Sequence, residues 1–335
     1  MKYPPGKLPH GELSRLLARY THAHPRLVVP AGVGADAAVI AMGDRYLVAK
    51  TDPITFASDE IGWYAVHVNA NDIAAMGAEP RFFFATVLIP AEQAAPELVE
   101  GIFRSIHEAA QSLGIAVCGG HTEITAGVAR PIVVGQMLGE VAPEGLVRPG
   151  GLRAGDALLL TKGLAIEATA LIAREKGEEL CRRGYGEELL ARCRNYLHAP
   201  GLSVVRDAHI ACQAGRIHAL HDPTEGGVAT GLMEMAAAAG VGLEIAAEAL
   251  CLSPESRQLC AEFGLDPLGA ISSGALLIGC PSEDAPRICA ALEREGIRVD
   301  QLGAVQPVEF GLQLRRGETL EPLPRFVVDE ITRIF

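Results

Sequence analysis

No Cys-x-x-Cys pair occurs anywhere in this chain of 335 residues, and its cysteines, at 118, 181, 193, 212, 251, 260, 280 and 289, are scattered. That excludes a zinc ribbon and a disulfide framework, and leaves most of them as small core residues. Basic residues are also scarce. The 29 Lys and Arg against 41 Asp and Glu give a formal net charge of −12, which opposes non-specific attraction to nucleic acid phosphates or anionic lipid. Long apolar runs are missing too: Lys162 and Glu167 break "LLLTKGLAIEATALIA", while Glu234 and Glu244 bracket "MAAAAGVGL". No segment therefore qualifies as a membrane span. The opening "MKYPPGKLPHGELSRLL" places prolines where a secretory signal needs its apolar core, so a cytoplasmic location is expected. Neither a Walker A sequence nor a G-x-G-x-x-G turn in its strand–helix setting is present, which removes the familiar nucleotide loops. With no short-period repeat or low-complexity tract, the expected partner is a small molecule, not nucleic acid or membrane.

A chain of this length divides into two domains more readily than it builds one core. "ADAAVIAMGDRYLVAKTD" reads as two strands joined by a Gly43-Asp44 turn. Trp63, Val66, Ala70 and Ile73 recur at helical spacing and predict an amphipathic helix carrying "NAND", ending near Gly77. A buried strand, "RFFFATVLIP", a helix through Leu98, Ile102, Ile106, Ala109 and Leu113, and the strands "GIAVCGGHTEIT" and "RPIVVGQMLGEV" follow. This alternation is α/β-like. "VRPGGLRAGDALLLT" concentrates Gly, Pro and Arg as a junction does, dividing the chain into 1–148 and 149–335. Beyond it, "DALLLT", "VGLEI" and "SSGALLIGCP" read as strands, and "AIEATALIARE", the stretch after "HDPTEGG" and 283–295 as helices.

Polar clusters abut or interrupt these apolar elements: Asp36 after "GVGA", Asp52 at the end of the hairpin, Asn69, Asn71 and Asp72 within a helix, and Asp222 opening "DPTEGG". Each alone could serve a turn or cap. Placed where carboxylates are costly to bury, they could instead converge as oxygen ligands for Mg²⁺ on a polyphosphate. The glycine pairs of "CGGHTE" and "EGG" let backbone N–H groups approach phosphate, and the helix after Gly226-Gly227 would aim its positive end at the same charge.

Five segments in order, "GVGADAAV", "KTD", "VNANDIAAMGAEP", "CGGHTE" and "HDPTEGG", resemble the ATP-dependent superfamily of aminoimidazole ribonucleotide (AIR) synthetase, selenophosphate synthetase, thiamine monophosphate kinase and the hydrogenase maturation protein HypE. "GKLPHGEL" and "DPTEGGVAT" resemble the HypE branch. The resemblance implies a two-domain α/β (α+β) subunit whose N-terminal sheet forms a barrel across a homodimer interface. It implies ATP and Mg²⁺ in a cleft, and phosphoryl transfer to, or dehydration of, a small acceptor. On the matching positions, Asp36, Asp52 and Asp72 would bind metal. Asn71, Gly119, Gly120, Thr122, Asp222, Thr224 and Gly226 would bind nucleotide, and Lys7, Asp72 and His121 would act in catalysis. A nucleotide-binding protein with little catalysis, or a selenophosphate- or thiamine-phosphate-type kinase, are the alternatives.

The chain departs from that pattern. Ala35-Asp36 stands where two acids are usual, Gly119-Gly120-His121 where the third residue is acidic, and Glu225 where the HypE pattern is basic. The chain ends "ITRIF" in place of a tail cysteine, so dehydration of a carbamoyl group on a tail thiol is not expected; "PRIC" at Pro286 to Cys289 lies in helical spacing. "CGGHTE" could be a thiol–imidazole nucleophile, a zinc site or a phosphate loop. Cys118 and His121 lack a third orienting group, no finger-like ligands lie nearby, and the phosphate-and-metal loop is the favoured reading. His121 would then be a neutral nitrogen ligand or a phosphate donor. Lys7 could equally be an exposed tail residue, His67 a helix-surface or core histidine, and Lys162-Gly163 either a phosphate-contacting turn or a strand end.

Overall fold

The computed structural model describes residues 3, 8–32, 36–55, 57 and 59–335. Lys7, one of the expected catalytic residues, lies outside them, as does Ala35. In the first half, α1 (His10–Tyr20), β1 (Leu27–Val29), β2 (Ala38–Met42) and β3 (Arg45–Ile54) precede α2 (Ile61–Ala75). Then come β4 (Glu79–Pro90), α3 (Pro96–Ser112), β5 (Ala116–Thr125) and β6 (Ile132–Val141). The second half opens with β7 (Asp156–Thr161), α4 (Ile166–Glu175), α5 (Gly177–Arg182), α6 (Glu187–Arg194), α7 (Val205–Ala214), β8 (Ala219–His221) and α8 (Gly227–Ala239). It closes with β9 (Gly242–Ala246), α9 (Pro254–Glu262), β10 (Leu277–Pro281), α10 (Ala285–Arg294), β11 (Val299–Gln306), β12 (Leu312–Arg316) and β13 (Thr319–Pro322). No helix among the described residues is long and apolar enough to cross a membrane.

Each half builds one sheet, in the orders β1-β2-β3-β6-β4-β5 and β13-β12-β9-β11-β7-β10-β8. The alternation of strands and helices had read as α/β-like within an α/β (α+β) subunit. In the sheets β4–β5, joined through α3, and β9–β12 are the parallel pairs, and the other neighbours are antiparallel. The fold is therefore α+β, because antiparallel pairs, most of them between strands not consecutive in the chain, dominate both sheets.

The helix α2 departs most from its sequence pattern. Every residue in it except Trp63 is buried, so it is not amphipathic. Ile61, Ala65, Val66, Ala70 and Ile73 pack into the first domain's core. Tyr64 joins the core of the second domain, and Ala74 and Ala75 join a cluster with Val204, Ala208 and Leu276. Against α3 the approach is so close that a Cβ on Gly62 would stand 2.3 Å from Ser105 Oγ.

A third stripe of α2, at four-residue intervals, faces the segment before α7. Trp63 stacks on His67 with ring centroids 4.4 Å apart and meets His198 edge-on at 4.6 Å. Asn71 donates to Leu202 O (2.8 Å) and accepts from Val204 N (2.8 Å). Lys162, at the end of β7, pairs with buried Asp207 at 2.9 Å and donates to Ser203 O. Its role is thus a buried brace of this junction, the strand-end reading and not the phosphate turn.

The β5 strand is exposed along nearly all its length, on the open edge of the first sheet. One of its glycines is dictated by the ladder: Gly120 has φ +148°, and a Cβ there would lie 1.8 Å from Ala85 O. Any side chain at Gly120 breaks the pairing with β4.

His67 gives the junction a pH signature. Burial lowers its pKa to about 4, opposed by its hydrogen bond to Trp63 O and reinforced by His198 and Lys162. The unfolded chain takes up this proton below about 6.5 and the folded one only below about 4, so stability falls as pH drops through that window. This one group makes the protein about 2 kcal/mol less stable at pH 5 than at pH 7. His67→Phe keeps the stack on Trp63 and removes that difference, which urea denaturation of both proteins at the two pH values measures. Equal pH dependence in the two proteins would contradict it.

Candidate functional site

Strand alternation puts Lys50 and Asp52 on the same face of β3, beneath α2. From that helix Asp72 points back, and Lys50 Nζ lies 3.0 Å from Asp72 Oδ1 and 3.4 Å from Asp52 Oδ2. Asn69 holds the strand in place, accepting from Asp52 N at 2.9 Å and donating to Ala65 O at 2.8 Å. From the second domain, β8 ends in His221, followed by Asp222. His221 Nδ1 is 2.9 Å from Asp36 Oδ1 and its Nε2 is 3.1 Å from Glu234 Oε2 on α8. Four aspartates from three stretches of the first half and one of the second thus converge on the junction.

The electrostatics are those of crowded carboxylates. Asp72 is 4% and Asp222 2% exposed. Asp72 Oδ2 and both Asp222 carboxylate oxygens are buried with no hydrogen-bond partner. Burial, then Asp36, pushes the Asp222 carboxyl up to about 7, against the pull of His221 and Lys50. Burial also raises Asp72, helped by Asp222, Asp52 and Asp36 and opposed by Lys50. Burial alone would lower Lys50, but Asp72, Asp52 and Asp36 overcome it and raise its pKa. His221 is likewise raised well above its ordinary value: burial lowers it, and Asp36 and Glu234 on its two nitrogens outweigh that.

An oxygen-rich, partly unsatisfied set of this kind suits a hard divalent cation. Asp36, His221 and Asp222 each offer an atom within 4.8 Å of the others. Both nitrogens of His221 already face carboxylates, so the oxygens of Asp36, Asp72 and Asp222 are the better ligands and His221 a positioning cation.

The remaining expected residues are distributed differently. Asn71 lies beside Asp72 in sequence, but its amide is engaged with the Leu202–Val204 backbone. "CGGHTE" is extended strand and not a loop. His121 is 67% exposed, 3.5 Å from Glu123, and pairs with Thr86, which pairs with Val134. Val134 in turn pairs with Pro53, next to Asp52, so three strand spacings, about 14 Å, separate His121 from that end of β3. Within one chain Gly119, Gly120, His121 and Thr122 do not join the aspartates. Thr224 and Gly226 lie at the start of α8, with Thr224 O accepting from Gly227 N at 3.0 Å. The N-terminus of α8, expected to face phosphate, is met by the protein's own anion: Asp329 accepts from Gly226 N (2.6 Å), Ile331 N (2.8 Å) and Ile271 N (3.3 Å). Cys289 lies on α10 beside fully buried Ile288, as its spacing indicates.

Lys50, His221 and Glu234 were not singled out from sequence. Their signals were present: Lys50 is two residues from Asp52 on a strand, His221 adjoins Asp222, and Glu234 is a lone charge on a helix of small apolar residues.

An unpartnered buried carboxylate should cost stability. Because Asp222 is raised to about 7 from its ordinary 3.8, the folded state holds its proton more tightly, and stability is lost as pH rises through that interval. In EDTA at pH 8, Asp222→Asn should therefore melt a few degrees above wild type, the gap closing toward pH 5, while losing any stabilisation by added Mg²⁺. A lower melting temperature for the variant in EDTA would show that Asp222 already has its counter-charge.

Comparison with known proteins completes the description. Residues 34–141 match the AIR synthase related protein, N-terminal domain, and residues 153–314 its C-terminal domain. The carbamoyl dehydratase HypE of Escherichia coli is 31% identical over 313 residues, covering 86% of this chain and 87% of that protein. The crystal structure of E. coli HypE aligns with a TM-score of 0.73 at 25% identity, over 97% of this chain and 100% of that one. A structure of HypE in complex with ATP aligns at TM-score 0.72 and 22% identity, over 98% of each chain.

Proposed function

Since this chain belongs to the AIR synthase related protein family, we propose that it is an ATP- and Mg²⁺-dependent, HypE-like phosphotransferase or dehydratase acting on a small acceptor. The observation that carries this reading is the set of buried, unpartnered oxygens on Asp72 and Asp222 beside Asp36 and Asp52. Carboxylates are held out of water without partners, at the cost that raises Asp72 and Asp222, where a cation is to be bound and to ionise them. A divalent cation there would neutralise charge developing on a transferring phosphoryl group. This chain's residues would do the rest. Asp36, Asp72 and Asp222 would hold the ion, His221 would fix Asp36 between the domains, and Lys50 would hold Asp52 and Asp72 in register. Burial of the cluster strengthens each of these interactions by excluding water.

We also propose a homodimer formed through the open edge of the first sheet. In support, β5 leaves a row of strand groups unpaired, and Val117 (48%), Ile124 (61%) and Phe82 (40%) expose apolar surface along it. Such pairing would bring a second subunit to "CGGHTE", where Gly119, Gly120, His121 and Thr122 could meet nucleotide.

Asp72→Asn removes one cation ligand without leaving a cavity. Titration calorimetry with a non-hydrolysable ATP analogue should show Mg²⁺-dependent binding in wild type, and at least tenfold weaker binding in the variant. Equal affinity would sink the assignment of Asp72. ATP turnover measured alongside separates an enzyme from a binding protein, and light scattering at micromolar concentration should give the mass of two chains.

A further inference from the structure

The cluster already contains a cation of its own. Lys50 Nζ lies between Asp72 Oδ1, at 3.0 Å, and Asp52 Oδ2, at 3.4 Å. Two carboxylates from different elements reach one nitrogen much as they would share one metal ion. The other oxygen of Asp72 and both oxygens of Asp222 remain unpartnered and buried. Asp72 is thus divided, one oxygen committed to the ammonium and one left open toward the second domain.

We propose that Lys50 is a resident cation that takes the place of a divalent ion between Asp52 and Asp72, so that each chain binds a single divalent ion, on the Asp72–Asp222 side. The inference rests on the cation-site reading above and adds to it a stoichiometry and a residue that sets it. Charge favours the arrangement. With all ionised, the four aspartates at 36, 52, 72 and 222 and Glu234 carry five negative charges, and Lys50, His221 and one divalent ion offset four of them. A second divalent ion would have to displace an ammonium held at 3.0 Å by Asp72 and 3.4 Å by Asp52, distances at which such pairs are strong. Unlike a bound ion, this charge is present before nucleotide arrives and cannot be removed by a chelator. Lys50 is a positioning and charge-compensating residue here, not a catalytic one.

The test counts Mn²⁺, used alone as the probe, by the loss of the free-ion electron paramagnetic resonance signal on titration of the full chain. Wild type should bind one Mn²⁺ per chain. Lys50→Met, which keeps the stem and removes the charge, should bind two, and Lys50→Arg should return to one. Should the methionine variant fail to fold without metal, Lys50→Gln replaces it. In either neutral variant, Mn²⁺ should raise the melting temperature by more than it does in wild type, because the ion then supplies what the ammonium did. Two Mn²⁺ in wild type, or one in both wild type and the neutral variants with unchanged affinity, overturns the role of Lys50. Failure of the nucleotide reading looks different: a wild type that takes up one Mn²⁺ but no ATP analogue, with the Lys50 series still shifting the count.

Discussion

Holding like charges close together out of water is the constraint on which this architecture turns. Asp36, Asp52, Asp72 and Asp222 repel one another, and burial of all but the part-exposed Asp52 removes the solvent that would screen them. Two devices make the arrangement tolerable. Lys50 threads positive charge between Asp52 and Asp72, and His221 between Asp36 and Glu234. The backbone positions that carry the acids are locked by uncharged contacts, such as Asn69 on Asp52 and Asn71 on the Leu202–Val204 segment. What is left over is a deficit of positive charge at Asp72 and Asp222, confined to the junction of the two domains.

That junction exists because α2 is shared. A helix on one sheet ordinarily keeps a solvent face, but here the first domain covers one side, α3 another, and the second domain the remainder. The polar residues of α2 are therefore all interior, and each is committed to a different neighbour. Asn69 serves its own sheet, Asn71 the other domain, and Asp72 the cation cluster. Relative movement of the domains would break the Asn71 and Trp63–His198 contacts together, which couples the geometry of the aspartates to domain docking.

The elements were legible where periodicity and turns speak locally. The hairpin about Gly43-Asp44, the βαβ unit from β4 to β5 and the fully buried "DALLLT" strand follow their patterns. The helix carrying "NAND" was located correctly, but its all-round burial was not foreseen, since spacing shows one apolar face and cannot show a second domain arriving at the other. The convergence of the acids could be read only as a resemblance, because Asp36 and His221 are 185 residues apart. "CGGHTE" was read as part of a strand, which β5 is, and from its glycines also as a phosphate-and-metal loop. Gly120 answers instead to the close approach of Ala85 O in a β-ladder, a long-range demand with the same local signature. Likewise Gly226-Gly227 announced a helix start, but nothing nearby in sequence announced that Asp329 would fill it.

The shared helix also has a consequence for synthesis on the ribosome. Asn71 meets Leu202 across 131 residues of chain, so at ordinary elongation rates on the order of ten seconds pass between the emergence of α2 and that of its second partner. For that interval the first sheet and α3 can fold, but the stripe of Trp63, His67 and Asn71 faces outward with an indole and a carboxamide uncovered. Tyr64, Ala74 and Ala75, which also pack on the second half, stay uncovered with that stripe for the same time. Slow translation through residues 142–204 would prolong the exposure, whereas a chaperone that shields this one helix would be sufficient to carry the chain past it.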